Sequence, residues 1–135
     1  DNAKLVELEG MSGETILIAD DQETNFLLYS EILQPFNVNL LYAKNGNQVV
    51  EMAKNYKPRV ILMDIRMPGL TGYQALEKIR ETDTEVPIIA QTAYAMYSER
   101  EKIIENGFTD LLIKPIDSQR LLNLLNAVLT SVHSD

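Results

Sequence analysis

Short apolar runs recur along the chain, each broken by turn-forming residues and followed by a segment with helical spacing. Residues 15–19, 38–43, 60–63, 86–92 and 110–114 are dense in Ile, Leu, Val and Ala. Apolar residues run on in them rather than alternating with polar ones, which marks strands covered on both faces, as in a parallel sheet. The segments between have helical periodicity. Residues 22–34 form the first predicted helix, ended by Pro35. Leu28, Ile32 and Phe36 are read as its inward stripe, widened by Tyr29 or Leu33, leaving Phe26 and Leu27 outside it. The second helix, about 46–56, is apolar at Val49, Val50 and Ala53, and the third, about 72–81, at Ala75, Leu76 and Ile79. A fourth spans about 95–106, with Gly107 suited to the position after its cap. A fifth, about 118–131, carries Leu121, Leu122, Leu124, Leu125, Val128 and Leu129.

Five β–α units with short connections predict an α/β doubly wound sandwich, its crossovers right-handed. The domain is expected over 14–131. Residues 1–13 read as a linker or the end of a preceding domain, with a short helical turn near 4–9, and 132–135 as a tail.

Composition narrows the class. The 135 residues suffice for one core. At 45% apolar and 24% charged the chain is an ordinary globular one. A formal net charge of −8 argues against direct contact with nucleic acid or anionic membrane, both of which need basic surface. With no cysteine there are neither disulfides nor thiolate metal sites, and the single histidine, His133, stands two residues from the end, which removes histidine triads and zinc sites. No apolar run approaches the ~18–20 residues that span a bilayer, and there is no basic-then-apolar leader. A cytoplasmic protein is expected, with the cytoplasmic end of a membrane-bound sensor as one setting.

The polar residues gather where the strands end. The first strand runs into Asp20-Asp21, the third into Asp64, the fourth into Thr92 and the fifth into Lys114. In an open α/β sheet the carboxyl ends of the strands meet at the ligand site. Standing alone, Asp64 reads equally well as a cap of the Met67-Pro68-Gly69 turn, Thr92 as an ordinary strand residue, and Lys114 as half of a salt bridge. Taken together they say more. Three carboxylates in one pocket repel unless a cation neutralises them, and Mg²⁺, which keeps several waters and uses few protein carboxylates, fits that need. A carboxylate nucleophile beside a metal, an ammonium and a hydroxyl is the equipment of in-line phosphoryl transfer. The competing reading is a surface acidic patch.

Asp20-Asp21, the run 64–69 (Asp-Ile-Arg-Met-Pro-Gly), Gly72, Thr92-Ala93, Gly107 and Lys114-Pro115 together resemble the receiver domain of two-component response regulators. The resemblance covers about residues 14–131. It implies a flavodoxin-like parallel sheet in the order 2-1-3-4-5. It also implies roles: Asp64 as phosphoacceptor, Asp21 and Asp64 as Mg²⁺ ligands with the backbone carbonyl of Arg66, and Asp20 acting through water. Lys114 would contact the phosphoryl group, with a cis peptide to Pro115, and Thr92 would donate a hydrogen bond to the same group. The implied partner is a histidine kinase or histidine phosphotransfer domain. Phe26 and Leu27, outside the stripe of the first helix, read either as ordinary exposed apolar residues or, with Asn25, as the patch on which that partner docks.

Two positions bear on how far the resemblance carries. Many receivers have an aromatic three residues before the lysine that rotates inward on activation; here it is Leu111. Arg66 and Tyr94 occupy positions that modulate hydrolysis in the family, and their bulk leads us to expect a phosphoryl lifetime longer than minutes. Asn25 and the segment 91–96 are similar to receivers of hybrid histidine kinases. With the non-Met start and no DNA-binding module after the last helix, they lead to the expectation of a receiver cut from such a kinase.

Two other classes are open on sequence. A haloacid-dehalogenase-like phosphatase would also use an aspartate nucleophile and Mg²⁺, but needs a second acid where Arg66 stands. A flavin binder would have to cradle a phosphate beside Asp20-Asp21, which would repel it.

Overall fold

The computed structural model describes residues 11–93 and 96–132, and for 130–132 only the backbone. The expectations placed on 4–9, Tyr94, Ala95 and His133 lie outside the described residues. The strands are β1 (Thr15–Ala19), β2 (Asn39–Ala43), β3 (Val60–Asp64), β4 (Ile88–Thr92) and β5 (Asp110–Ile113). The helices are α1 (Glu23–Leu33), α2 (Gly46–Tyr56), α3 (Gly72–Arg80), α4 (Tyr97–Glu105) and α5 (Ser118–Val132). The strands pair in parallel in the order β2-β1-β3-β4-β5, as expected.

Side chains alternate across the sheet and feed two cores. Leu17, Ala19, Ile61, Met63, Ala90 and Leu111 face a cluster completed by Val49, Ala75, Leu76, Ile79 and Ile103 of α2, α3 and α4. Ile16, Ile18, Val60, Leu62, Ile89 and Leu112 face the opposite cluster with Tyr29 and Leu33 of α1 and the leucines of α5. β3 is third in the order of five and buried throughout, and Asp64 at its end stands at the mouth of the sheet. Met11, ahead of the expected domain, is also fully buried in the α1–α5 core, so packing begins before residue 14.

The phase of α1 differs from the sequence reading. Tyr29 and Leu33 are the fully buried pair, with Phe26, Ile32 and Phe36 partly buried beside them. Leu28 is 36% exposed and Leu27 54% exposed, so Leu28 points outward and Phe26 inward. Phe26 stacks on Tyr42 of β2 at 4.5 Å between ring centroids. Apolar residues fall on both candidate faces of this helix, so periodicity cannot choose between them. The choice follows from a partner for the Tyr29 hydroxyl, which donates a hydrogen bond to Gln91 Oε1 across the sheet.

Local chemistry fixes the other ends. Thr71 and Gln74 form a reciprocal capping box at the start of α3. After α4, the Gly107 amide donates to Ile104 and the Phe108 amide to Ile103, a Schellman closure with Gly107 at φ +109°. Gly72 has a different reason to be glycine. A Cβ there would lie 2.8 Å from the Asp64 carbonyl oxygen and 2.8 Å from Ile65 Cα, so only glycine lets α3 start against the end of β3.

Candidate functional site

The sheet topology carries the polar strand ends to one place. Asp20, Asp21 and Asp64 each present a carboxylate oxygen within 4.8 Å of the others. Asp20 is fully buried, Asp64 is 5% exposed, and Asp21 stands open at the rim. Lys114 leaves β5 and reaches between the two buried acids, its Nζ 2.7 Å from Asp64 Oδ2 and 3.5 Å from Asp20 Oδ2. The peptide from Lys114 to Pro115 is cis, as the family resemblance implies.

Each buried acid is held by more than charge. The Arg66 backbone amide donates to Asp64 Oδ1 at 3.0 Å, while the Arg66 side chain is exposed beside the mouth. Ile65 is gripped from both sides: its amide donates to the Gln91 carbonyl, and its carbonyl accepts from the Gly72 amide. Asp20 Oδ1 accepts from the Gln22 amide at 2.9 Å, and Oδ2 accepts from the Asn25 side chain at 3.0 Å. Asn25, expected from sequence to be part of a docking face, is thus turned onto the acid cluster, and Phe26 is turned into the sheet. Of the three docking candidates, Leu27 is the one that faces solvent. Asn25 lies in the first turn of α1, where side chains lean back toward the helix N-terminus, and that lean is a readable signal for its contact with Asp20.

The electrostatics follow from burial. Desolvation pushes the Asp20 carboxyl above the usual carboxylate range. The Gln22 amide, the Lys114 charge and Asn25 oppose this, while the Asp64 charge adds to it. Burial works to lower the Lys114 ammonium, but its hydrogen bond to Asp64 and the charges of both aspartates outweigh that and hold it above its ordinary value. Thr92 is buried at the end of β4, and its carbonyl accepts the Lys114 amide at 2.8 Å. Leu111 is packed in the α4-side core, so an aliphatic side chain fills the position that many receivers give to a rotating aromatic.

The donors that face this cluster are oxygens, two of the carboxylates being taken largely out of water with the Lys114 ammonium between them. That is the chemistry a hard divalent cation meets, and the residues fit Mg²⁺. The chain matches the family described as the response regulator receiver domain over residues 16–126.

The chain belongs to the receiver domain family.

Receivers of this family are phosphoacceptor modules of two-component signalling, and this one is a signalling domain rather than a metabolic enzyme. The phosphatase alternative is not favoured. The receiver is 38% identical over 113 residues to the signal transduction histidine-protein kinase BarA of Escherichia coli. That match covers 82% of this chain but only 12% of the kinase, so the chain spans about an eighth of that relative's length. It is 37% identical over 116 residues to Protein PilH of Pseudomonas aeruginosa, covering 84% of this chain and 96% of PilH. Among solved structures it resembles the receiver domain of a Pseudomonas aeruginosa sensor histidine kinase, crystallised with magnesium in its active-site cleft. The TM-score is 0.81 at 32% identity, covering 88% of this chain and 99% of that one. No helix among the described residues is long and apolar enough to cross a membrane.

Proposed function

We propose that this receiver takes a phosphoryl group from a phosphohistidine onto Asp64 and relays or reads it as a change of conformation. The observation that carries this is the Asp64 carboxylate, nearly buried, paired with Lys114 at 2.7 Å and flanked by two further aspartates. An Asp64 oxygen attacks phosphorus in line; the new O–P bond forms as the P–N bond breaks, and the electron pair leaves with the donor imidazole. Lys114 moves from carboxylate to phosphoryl oxygen as a point charge, and the Thr92 hydroxyl donates to another. Asp21, Asp64 and the Arg66 carbonyl would hold Mg²⁺, with the fully buried Asp20 acting through water. The ion would supply charge neutralisation for the transferred group.

The test is chemical mapping. After incubation with acetyl phosphate and Mg²⁺, a hydroxylamine-sensitive phosphoryl group is expected on the peptide carrying Asp64. Label on the Asp20-Asp21 peptide instead would overturn the assignment.

The proposed donor is the histidine kinase or histidine phosphotransfer domain of a phosphorelay, acting in the cytoplasm, and similarity to BarA supports a hybrid-kinase parent. The surface proposed for docking is the outward side of α1, where Leu27 and Leu28 lie open beside the site. Leu27→Ser is expected to slow transfer from a cognate phosphohistidine while sparing acetyl phosphate. Equal slowing of both reactions would count against docking there.

A further inference from the structure

Under the acid cluster lies a polar pair that the proposed chemistry does not use. Tyr29 of α1 is the largest fully buried side chain among the described residues, and its hydroxyl donates to Gln91 Oε1. Gln91 is itself fully buried, and its Nε2 has no hydrogen-bond partner. A buried carboxamide with an unmatched nitrogen is a poor choice for packing alone, because apolar residues of similar size at both positions would leave nothing unpaired.

Its placement shows what the pair is next to. Gln91 is the register partner of Asp64, and Leu112, two residues before Lys114, is the register partner of Gln91. Alternation puts Asp20, Asp64, Gln91 and Lys114 on the α1–α5 side of the sheet. The carbonyl of Gln91 also holds the Ile65 amide, one residue after Asp64. Tyr29 and Gln91 therefore lie on the same face of the sheet as Asp64, a buried floor beside it that is joined at one end to the proposed docking helix.

From this we infer that Gln91, oriented by the Tyr29 hydroxyl, is a positioning residue for phosphoryl transfer at Asp64. Pinning Oε1 fixes the plane of the carboxamide, and with it the direction of the unpartnered Nε2. Burial and then the charges of Asp20 and Asp64 push the Tyr29 hydroxyl far above its ordinary value, so it remains a donor throughout the working range. The floor holds the nucleophile and the β4 end bearing Thr92 in one geometry, and a small misplacement there costs rate.

The inference rests on Asp64 being the phosphoacceptor, and the test separates the two. Acyl-phosphate formation from acetyl phosphate with Mg²⁺ is measured beside thermal melting for wild type, Tyr29→Phe, Gln91→Leu and the double variant. Each single variant is expected to phosphorylate about tenfold more slowly and to melt at a lower temperature. The double variant, with both polar partners gone, is expected to regain most of its melting temperature and none of its rate. Recovery of rate together with melting temperature would make the pair merely structural and overturn the inference. So would wild-type rates in the single variants. If wild type carries no label on Asp64, the functional reading itself fails; normal labelling of wild type with unimpaired variants removes only the role of the floor.

Discussion

Asp64→Asn is expected to abolish acyl-phosphate formation at every concentration of phosphodonor, a loss of about a thousandfold or more. The amide has no oxygen nucleophilic enough to attack phosphorus, and Asp20, the other buried acid, is fully enclosed where Asp64 keeps 5% exposure. Asp21 is open to solvent, and Lys114 pairs with Asp64 and Asp20. The fold should survive, because the Asn oxygen still accepts from the Arg66 amide and the charge repulsion within the cluster falls. The check is phosphoryl loading followed by mass spectrometry, with circular dichroism to show that the variant is folded. Loading equal to wild type would overturn the central assignment.

Lys114→Met should be the most damaging single change within the acid cluster to stability at neutral pH. The ammonium, 22% exposed at its side chain, is the cation that the structure places between Asp20 and Asp64. Removing one partner of a buried pair leaves an uncompensated charge, at about 3 kcal/mol. The pH dependence should change with it. In wild type Lys114 is held above its ordinary value, so its contribution is complete at all pH below the unfolded-state value and is lost only in strong base. In the variant the Asp20 carboxyl, already raised by burial, rises further without the lysine charge. A raised carboxyl favours the fold while protonated and loses that contribution as pH climbs through its folded value. The variant should therefore be weakest near neutrality and recover as the pH falls toward the ordinary aspartate range, or when Mg²⁺ is added. Urea titrations at several pH values, with and without Mg²⁺, measure this. A variant as stable as wild type at neutral pH without divalent ions would show that the pair carries no weight.

The parallel sheet is legible in the sequence because its strands are apolar almost throughout, and β3 most of all. The gathering of Asp20, Asp21, Asp64 and Lys114 is legible because an α/β sheet brings strand ends together whatever the details. Helix phase is not. Phe26, Leu27, Leu28 and Tyr29 are consecutive large side chains, and spacing alone cannot say which pair faces the sheet. The Tyr29 hydroxyl decides it by finding Gln91, a contact across 62 residues that no local pattern announces. Asn25 misleads for a related reason: a polar residue in the first turn of a helix can face solvent or lean back over the terminus, and here Asp20 stands behind it. The capping box at Thr71 and Gln74 is readable in principle, since the residues stand at the required interval.

The double grip on Ile65 has a mechanical consequence. With its amide tied to Gln91 and its carbonyl to Gly72, the segment from Arg66 to Thr71 is a closed backbone ring rather than a slack connection. A ring cannot soak up a push at one point; it hands the displacement on, to the sheet through β4 or to the first turn of α3. An insertion there lengthens the ring closed by the Ile65 carbonyl and the Gly72 amide, and is expected to loosen it. The place where the phosphoryl group is expected to arrive is thus among the stiffer parts of the molecule, and stiffness at the input lets a small covalent change be felt at a distance.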